Sequence, residues 1–167
     1  MYRLTTSLVL PLSPAEVFPF FAEADNLGRI TPPELGFRIV TPQPVAMRPG
    51  ALIDYRLSLF GVPMRWRTRI SAWDPPHRFV DEQLAGPYAT WHHTHTFTEV
   101  AGGTRVEDVV RYALPLGALG RIAHPVVRLQ LRRIFAYRQR TVWRLLVDAR
   151  GATGEMMPIA VKFDRAA

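Results

Sequence analysis

The chain contains no cysteine, which excludes disulfides, thiolate metal sites and cysteine nucleophiles while saying nothing about redox compartment. Lysine is almost as scarce, because all but one of the 21 basic residues are arginine and only Lys162 is lysine. No apolar run approaches the ~18 residues needed to cross a bilayer. The stretch Leu8 to Leu12 is too short and too weakly flanked for a signal peptide, so a cytoplasmic protein is expected. A phosphate-cradling glycine loop and an internal repeat are also missing. The 11 Gly and 15 Pro are scattered, which argues against both disorder and a fibrous repeat.

What is present fits one globular unit. A chain of 167 residues with 48% hydrophobic and 21% charged positions can bury a single core. The expected division is one domain over residues 1–147 and a tail over 148–167. The net charge of +7 raises nucleic acid, an anionic membrane or an acidic ligand as partners. The arginine skew favours a solvated basic surface, so no specific nucleic-acid partner is expected; peripheral binding to an anionic membrane or to nucleic acid through the arginine-rich surface is kept as an alternative. The sequence assigns no oligomeric state.

Alternating apolar residues predict a first strand over 2–11. Ser13-Pro14-Ala15-Glu16 then combines an N-cap serine, a first-turn proline and a capping glutamate. A helix starts there, and a second short one ends before Thr31-Pro32-Pro33. Six strands follow, near 36–42, 51–60, 63–73, 77–84, 90–99 and 104–114. A type II′ turn at Gly61-Val62 is expected to pair Phe60 with Pro63, setting Leu57 against Trp66, Tyr55 against Thr68 and Asp54 against Arg69. Residues 117–147 have helical period, with Leu119, Ala123, Val127, Leu131, Ile134, Phe135, Val142, Leu145 and Leu146 on one face and a kink or start at Pro125. Ile159 to Phe163 can add a short strand.

The chemistry concentrates between Phe79 and Tyr112. Placing Trp91 and Phe97 inside carries His93 and His95 inward, while Val106, Val110 and Tyr112 bring Asp108 and Phe79 brings Asp81 and Gln83. A hairpin over Val100 to Gly103 pairs Glu99 with Thr104, so that His95 faces Asp108 and Trp91 faces Tyr112. A turn at Gly86-Pro87 sets Asp81 against His93. Arg138 falls at the centre of the apolar helix stripe, where it needs an anion: Asp81, Asp108 or a ligand's acid group. Tyr55, Trp66, Phe79, Asp81, Gln83, Trp91, His93, His95, Phe97, Asp108, Val110, Tyr112, Ile134 and Arg138 are therefore the expected cavity residues. Three uses stay open for the cluster: a satisfied polar network, proton transfer by His93 or His95 with Asp81 and Asp108 behind them, and metal ligation. Arg138 disfavours the last, and neither a metal nor a cofactor is expected.

The opening Ser13-Pro14-Ala15-Glu16-Val17-Phe18 and the residues Phe79, Gly86-Pro87, Trp91, His93, His95, Phe97, Gly103-Thr104, Asp108, Tyr112 and Ile134-Phe135-Ala136-Tyr137-Arg138 resemble the SRPBCC superfamily, in its START-like and polyketide cyclase/dehydrase-like branch of bacterial stand-alone proteins. The resemblance spans residues 2 to about 147. It implies an α+β helix-grip fold of order β-α-α-β6-α, a curved seven-stranded antiparallel sheet around a long C-terminal helix with an internal cavity. It further implies binding or transport of a small hydrophobic molecule (lipid, isoprenoid or aromatic polyketide). A metal-free cyclase or dehydratase is the enzymatic alternative, and the iron-binding pattern of the oxygenase branch is not matched. The superfamily's range of functions carries no catalytic residue over to this chain.

Overall fold

A computed structural model describes residues 1–151 and 154–165. The elements are β1 (Tyr2–Leu10), α1 (Pro14–Ala22), α2 (Asn26–Arg29), a 3-10 turn (Pro33–Leu35), β2 (Arg38–Ile39), β3 (Leu52–Leu59), β4 (Val62–Asp74), β5 (Arg78–Ala85), β6 (Thr90–Val100), β7 (Gly103–Ala113), α3 (Gly117–Leu146), a second 3-10 turn (Asp148–Arg150) and β8 (Val161–Arg165). Among the described residues the strands form one antiparallel sheet in the order β2-β3-β4-β5-β6-β7-β1-β8. With the long terminal helix packed on its inner face, this is the helix-grip fold.

The sheet gains an eighth strand over the seven expected, because β8 pairs with β1 from Tyr2 opposite Arg165 to Thr6 opposite Val161. At the other edge β2 is cut to Arg38–Ile39. Pro42 and Pro44 follow it closely and cannot donate to a ladder.

The β3–β4 hairpin differs from the sequence expectation in register. Leu59 pairs with Val62, and the turn residues are Phe60 and Gly61, with φ of 52° and 78°. Left-handed backbone at both central positions is a type I′ turn, with glycine at the second position where that turn favours it. Trp66 therefore faces Tyr55, and Asp54 faces Arg67. The slip is two residues, so every side chain keeps its expected face.

Curvature comes from β4 and β5. Their register shifts between Arg67 and Thr68 and again between Ile70 and Ala72, and bulges of this kind bend and twist a strand pair.

The helix α3 runs through Pro125 over 30 residues, and most of its buried residues lie in its second half. Leu131, Phe135, Val142 and Leu146 are buried, whereas Leu119, expected on the packed face, is 66% exposed and Ala123 is exposed too. The N-terminal turns meet the sheet through His124, which stacks on Tyr2 at 3.6 Å, and Arg128, which lies over Phe163 at 5.0 Å, and their apolar residues are left outside that contact. Gln139 fastens the helix to β1 by donating to the Thr6 hydroxyl and, at 3.0 Å, to the Ser7 carbonyl.

Candidate functional site

The site forms where β5, β6 and β7 run side by side. In β6, Trp91, His93, His95 and Phe97 are buried on one face, and in β7 Thr104, Val106, Asp108, Val110 and Tyr112 do the same. Strand alternation thus turns polar groups inward wherever they share parity with the core. Asp81 stands opposite His93, and His95 opposite Asp108.

The side chains then cross over. His93 Nε2 lies 3.1 Å from Asp108 Oδ1, and His95 Nε2 lies 3.0 Å from Asp81 Oδ2. The second ring nitrogens close the circuit, with His93 Nδ1 3.4 Å from Asp81 Oδ2 and His95 Nδ1 2.8 Å from Asp108 Oδ1. The last contact is short, yet its N–H does not point along it, so it acts as charge attraction and not as a hydrogen bond. What strand register presents as two pairs is one four-membered network. Its imidazoles lie 3.8 Å apart, and Phe79 stacks on His95 at 4.1 Å.

Burial alone would push the Asp108 carboxyl up, but the bond from His93, the close approach of His95 and the charges of both imidazoles hold it far below the usual carboxylate range. Asp81 is likewise lowered, against the cost of burial, by the charge of His93 and the bond from His95. For His93, burial and the neighbouring charge of His95 win, and its affinity for a proton falls. For His95, burial is outweighed by Asp108 and Asp81 together, and its affinity rises. The network therefore favours the charged form at Asp81, Asp108 and His95 and the neutral form at His93.

This network forms one wall of a cavity of about 160 Å3 between the sheet, the short helices and α3. Of the expected residues, Tyr55, Trp66, Phe79, Asp81, Trp91, His93, His95, Ile134 and Arg138 line it. Gln83, Phe97, Asp108, Val110 and Tyr112 do not. Gln83 is drawn into the β5–β6 turn, where its Nε2 donates to the Tyr88 carbonyl at 2.7 Å. Phe97 packs edge-on against Phe18 and Phe21, Asp108 stands behind the imidazoles, and Val110 is closed over by its own core cluster. Tyr112 turns away to meet His124 Nε2 through its hydroxyl at 3.1 Å. Burial and an adjacent tyrosine raise its phenol to about 12.

The cavity also takes walls that the sequence reading passed over. Phe20, Leu27, Ile30 and Leu35 descend from α1, α2 and the turn after them, and Ile53, Leu57 and Ile70 come from β3 and β4. The strand residues share the parity of Tyr55 and Trp66 and were legible on that ground. The helical ones lie in elements too short for a period to assign a face.

Of the partners expected for Arg138, neither internal acid is taken. Among the described residues it makes no ion pair with Asp81 or Asp108 within 4.0 Å, because both acids are committed to the imidazoles. Its guanidinium lies over the Phe135 ring at 5.0 Å, and its Nε is buried without a hydrogen-bond partner.

Asp81, His93 and His95 offer ligand atoms within 4.8 Å of one another, the donor types that suit a divalent ion. An ion would have to break the bonds these groups make to each other and would sit near a fixed cation.

Residues 10–136 match the family described as polyketide cyclase/dehydrase and lipid transport, and the chain belongs to that family. Solved structures share its fold. The protein Ms6760 from Mycobacterium smegmatis is 22% identical, with a TM-score of 0.66 over 88% of this chain and 92% of that one. TTHA0849 from Thermus thermophilus is 18% identical, with a TM-score of 0.65 over 88% and 98%. A nucleoside-diphosphate sugar epimerase from Corynebacterium glutamicum is 26% identical over 83% of this chain but only 28% of its own, with a TM-score of 0.58. Comparison with curated protein sequences gives no match.

Proposed function

We propose that the protein binds a compact hydrophobic molecule in the cavity between sheet and helix. The observation that supports this reading is the cavity itself: about 160 Å3 of space walled largely by Leu, Ile, Phe and Trp side chains, with Asp81, His93, His95 and Arg138 among the polar groups that line it. A closely packed interior leaves few voids larger than a water molecule, and an apolar void of ~150 Å3 can take up benzene. Pockets for drug-sized ligands are about 300–1,000 Å3. A one-ring aromatic or a short branched chain therefore suits this space better than a long lipid or a fused polyketide.

The network is better built to hold charge than to turn over substrate. Both ring nitrogens of His93 face a carboxylate, which leaves none directed at an occupant. The test is fluorescence of Trp66 and Trp91, which line the cavity and meet edge to face at 5.3 Å. Titration with toluene or p-cresol is expected to quench them saturably, and Leu57→Trp, which fills the space, is expected to abolish the effect. An unchanged spectrum in the unsubstituted protein would overturn the reading.

A second reading, contact with an anionic membrane, is supported by the outer face of the N-terminal half of α3. Leu119, Ile122, Val126 and Leu129 are exposed at helical spacing, with Arg121, Arg128 and Arg132 beside them. Sedimentation with phosphatidylserine-containing vesicles is expected to fall with added salt and to be lost in Ile122→Glu. Binding that ignores both changes, or no binding at all, refutes this reading.

A further inference from the structure

We infer that the cavity's occupant carries an acidic group, a carboxylate or an ionised phenol, which pairs with Arg138. This rests on the reading of the cavity as a binding site and specifies what it selects. The helix α3 presents Arg138 from the middle of its gripped face, between Ile134 and Val142, and Arg138 lines the cavity. A guanidinium carries five N–H donors in a planar fork and has no neutral state to retreat to. In a well-satisfied interior these donors would be matched, yet among the described residues the buried Nε has no partner. The acids beside it are already engaged: Asp81 accepts from His95 and Asp108 from His93, while Glu23, the other acid of the lining, is exposed and accepts from Asn26 at 3.4 Å.

The nearby neutral groups do not take that place. Tyr55 Oη sits 3.1 Å from Thr68 Oγ1, so the two hydroxyls satisfy each other. Gln139, the next residue on the helix, gives its Nε2 to β1, and its buried Oε1, which has no partner among the described residues, does not meet Arg138. The guanidinium carbon of Arg138 lies over the Phe135 ring at 5.0 Å, a contact with the ring face that supplies no acceptor oxygen to its N–H donors. A cation with no ion pair among the described residues, set in a mostly apolar wall, is the arrangement that recognises a carboxylate by two parallel hydrogen bonds. The same wall rejects an isosteric neutral ligand less by sterics than by leaving the fork unmatched.

The experiment compares 4-methylbenzoate with 4-methylbenzamide, matched in shape and differing in charge. Binding is followed by NMR on the indole N–H signals of Trp66 and Trp91, so that surface arginines binding benzoate do not contribute. The unsubstituted protein is expected to prefer the acid at least tenfold, Arg138→Met to remove that preference, and Arg138→Lys to keep part of it. Equal affinities in the unsubstituted protein, or a preference that survives Arg138→Met, overturn the role of Arg138 while leaving the cavity reading intact. If neither compound moves the indole signals, the cavity reading fails and this inference falls with it. Should Arg138→Met fail to fold, a reduced preference for the acid in Arg138→Lys supports the assignment, and a preference unchanged from the unsubstituted protein defeats it.

Discussion

Replacing Asp108 with asparagine isolates the electrostatics of the four-membered network, because shape and one acceptor oxygen are retained while the charge is lost. Asp108 is 5% exposed and serves both imidazoles, with His93 Nε2 at 3.1 Å and His95 Nδ1 at 2.8 Å. Breaking a buried pair typically costs about 3–5 kcal/mol. Asp81 remains bonded to His95 at 3.0 Å, so the lower end, about 3 kcal/mol, is expected. The loss must also depend on pH in a defined way. The lowered carboxyl of Asp108 contributes stability above its unfolded value of 3.8, and that contribution drains away as pH falls below it. The raised imidazole of His95 contributes below its unfolded value of 6.5 and stops contributing as pH climbs through its folded value. The gap between unsubstituted protein and Asp108→Asn should therefore be widest between these two values and narrow on both sides. Urea unfolding across a pH series measures the gap, and NMR titration of His95 should show its proton affinity dropping in the variant. A gap that is flat with pH, or below about 1 kcal/mol as for an ordinary neutral hydrogen bond, would refute the charge assignment.

Two further outcomes are expected. Gly103→Ala should lower the melting temperature sharply, because a Cβ at φ of 145° would overlap the Leu10 carbonyl where β7 starts beside β1; such backbone is essentially confined to glycine and costs other residues about 1–3 kcal/mol before the overlap is counted. Tyr112→Phe should lose only about 1 kcal/mol in urea unfolding, the net worth of its bond to His124, and should leave Trp66 and Trp91 quenching by toluene unchanged because Tyr112 does not reach the cavity.

The inner faces of β6 and β7 were readable from the chain because each strand is half buried and its apolar residues fix parity for the polar ones between them. The crossing of His93 to Asp108 was not, since parity assigns a face and register assigns a neighbour, but rotamers decide which of two adjacent partners a ring nitrogen reaches. For the same reason Gln83, of correct parity, is lost to the turn: the Tyr88 carbonyl and N–H, placed by the reversal at Gly86-Pro87, take up its amide before the cavity can. The β3–β4 turn shows how an error can be harmless. Choosing Gly61-Val62 over Phe60-Gly61 moved the pairing by an even number, so Tyr55, Leu57 and Trp66 still face inward, whereas an odd slip would have turned the cavity wall to solvent.

The positions 138 and 139 on α3 mark where helical period stops predicting contact. The stripe from Leu131 to Leu146 puts Arg138 at its centre and Gln139 at its margin, and in a helix packed on a flat surface the central residue would make the closest contacts. Here the surface is a curved sheet bent by two bulges in the β4–β5 pair. A curved sheet touches a straight helix along the margins of its inner face and stands away from the centre. Gln139 accordingly reaches Thr6 and Ser7, while Arg138 spans the gap that the curvature leaves. The same curvature that makes room for an occupant thus removes the internal partners Arg138 would otherwise have, so cavity and unpaired cation have one geometric cause.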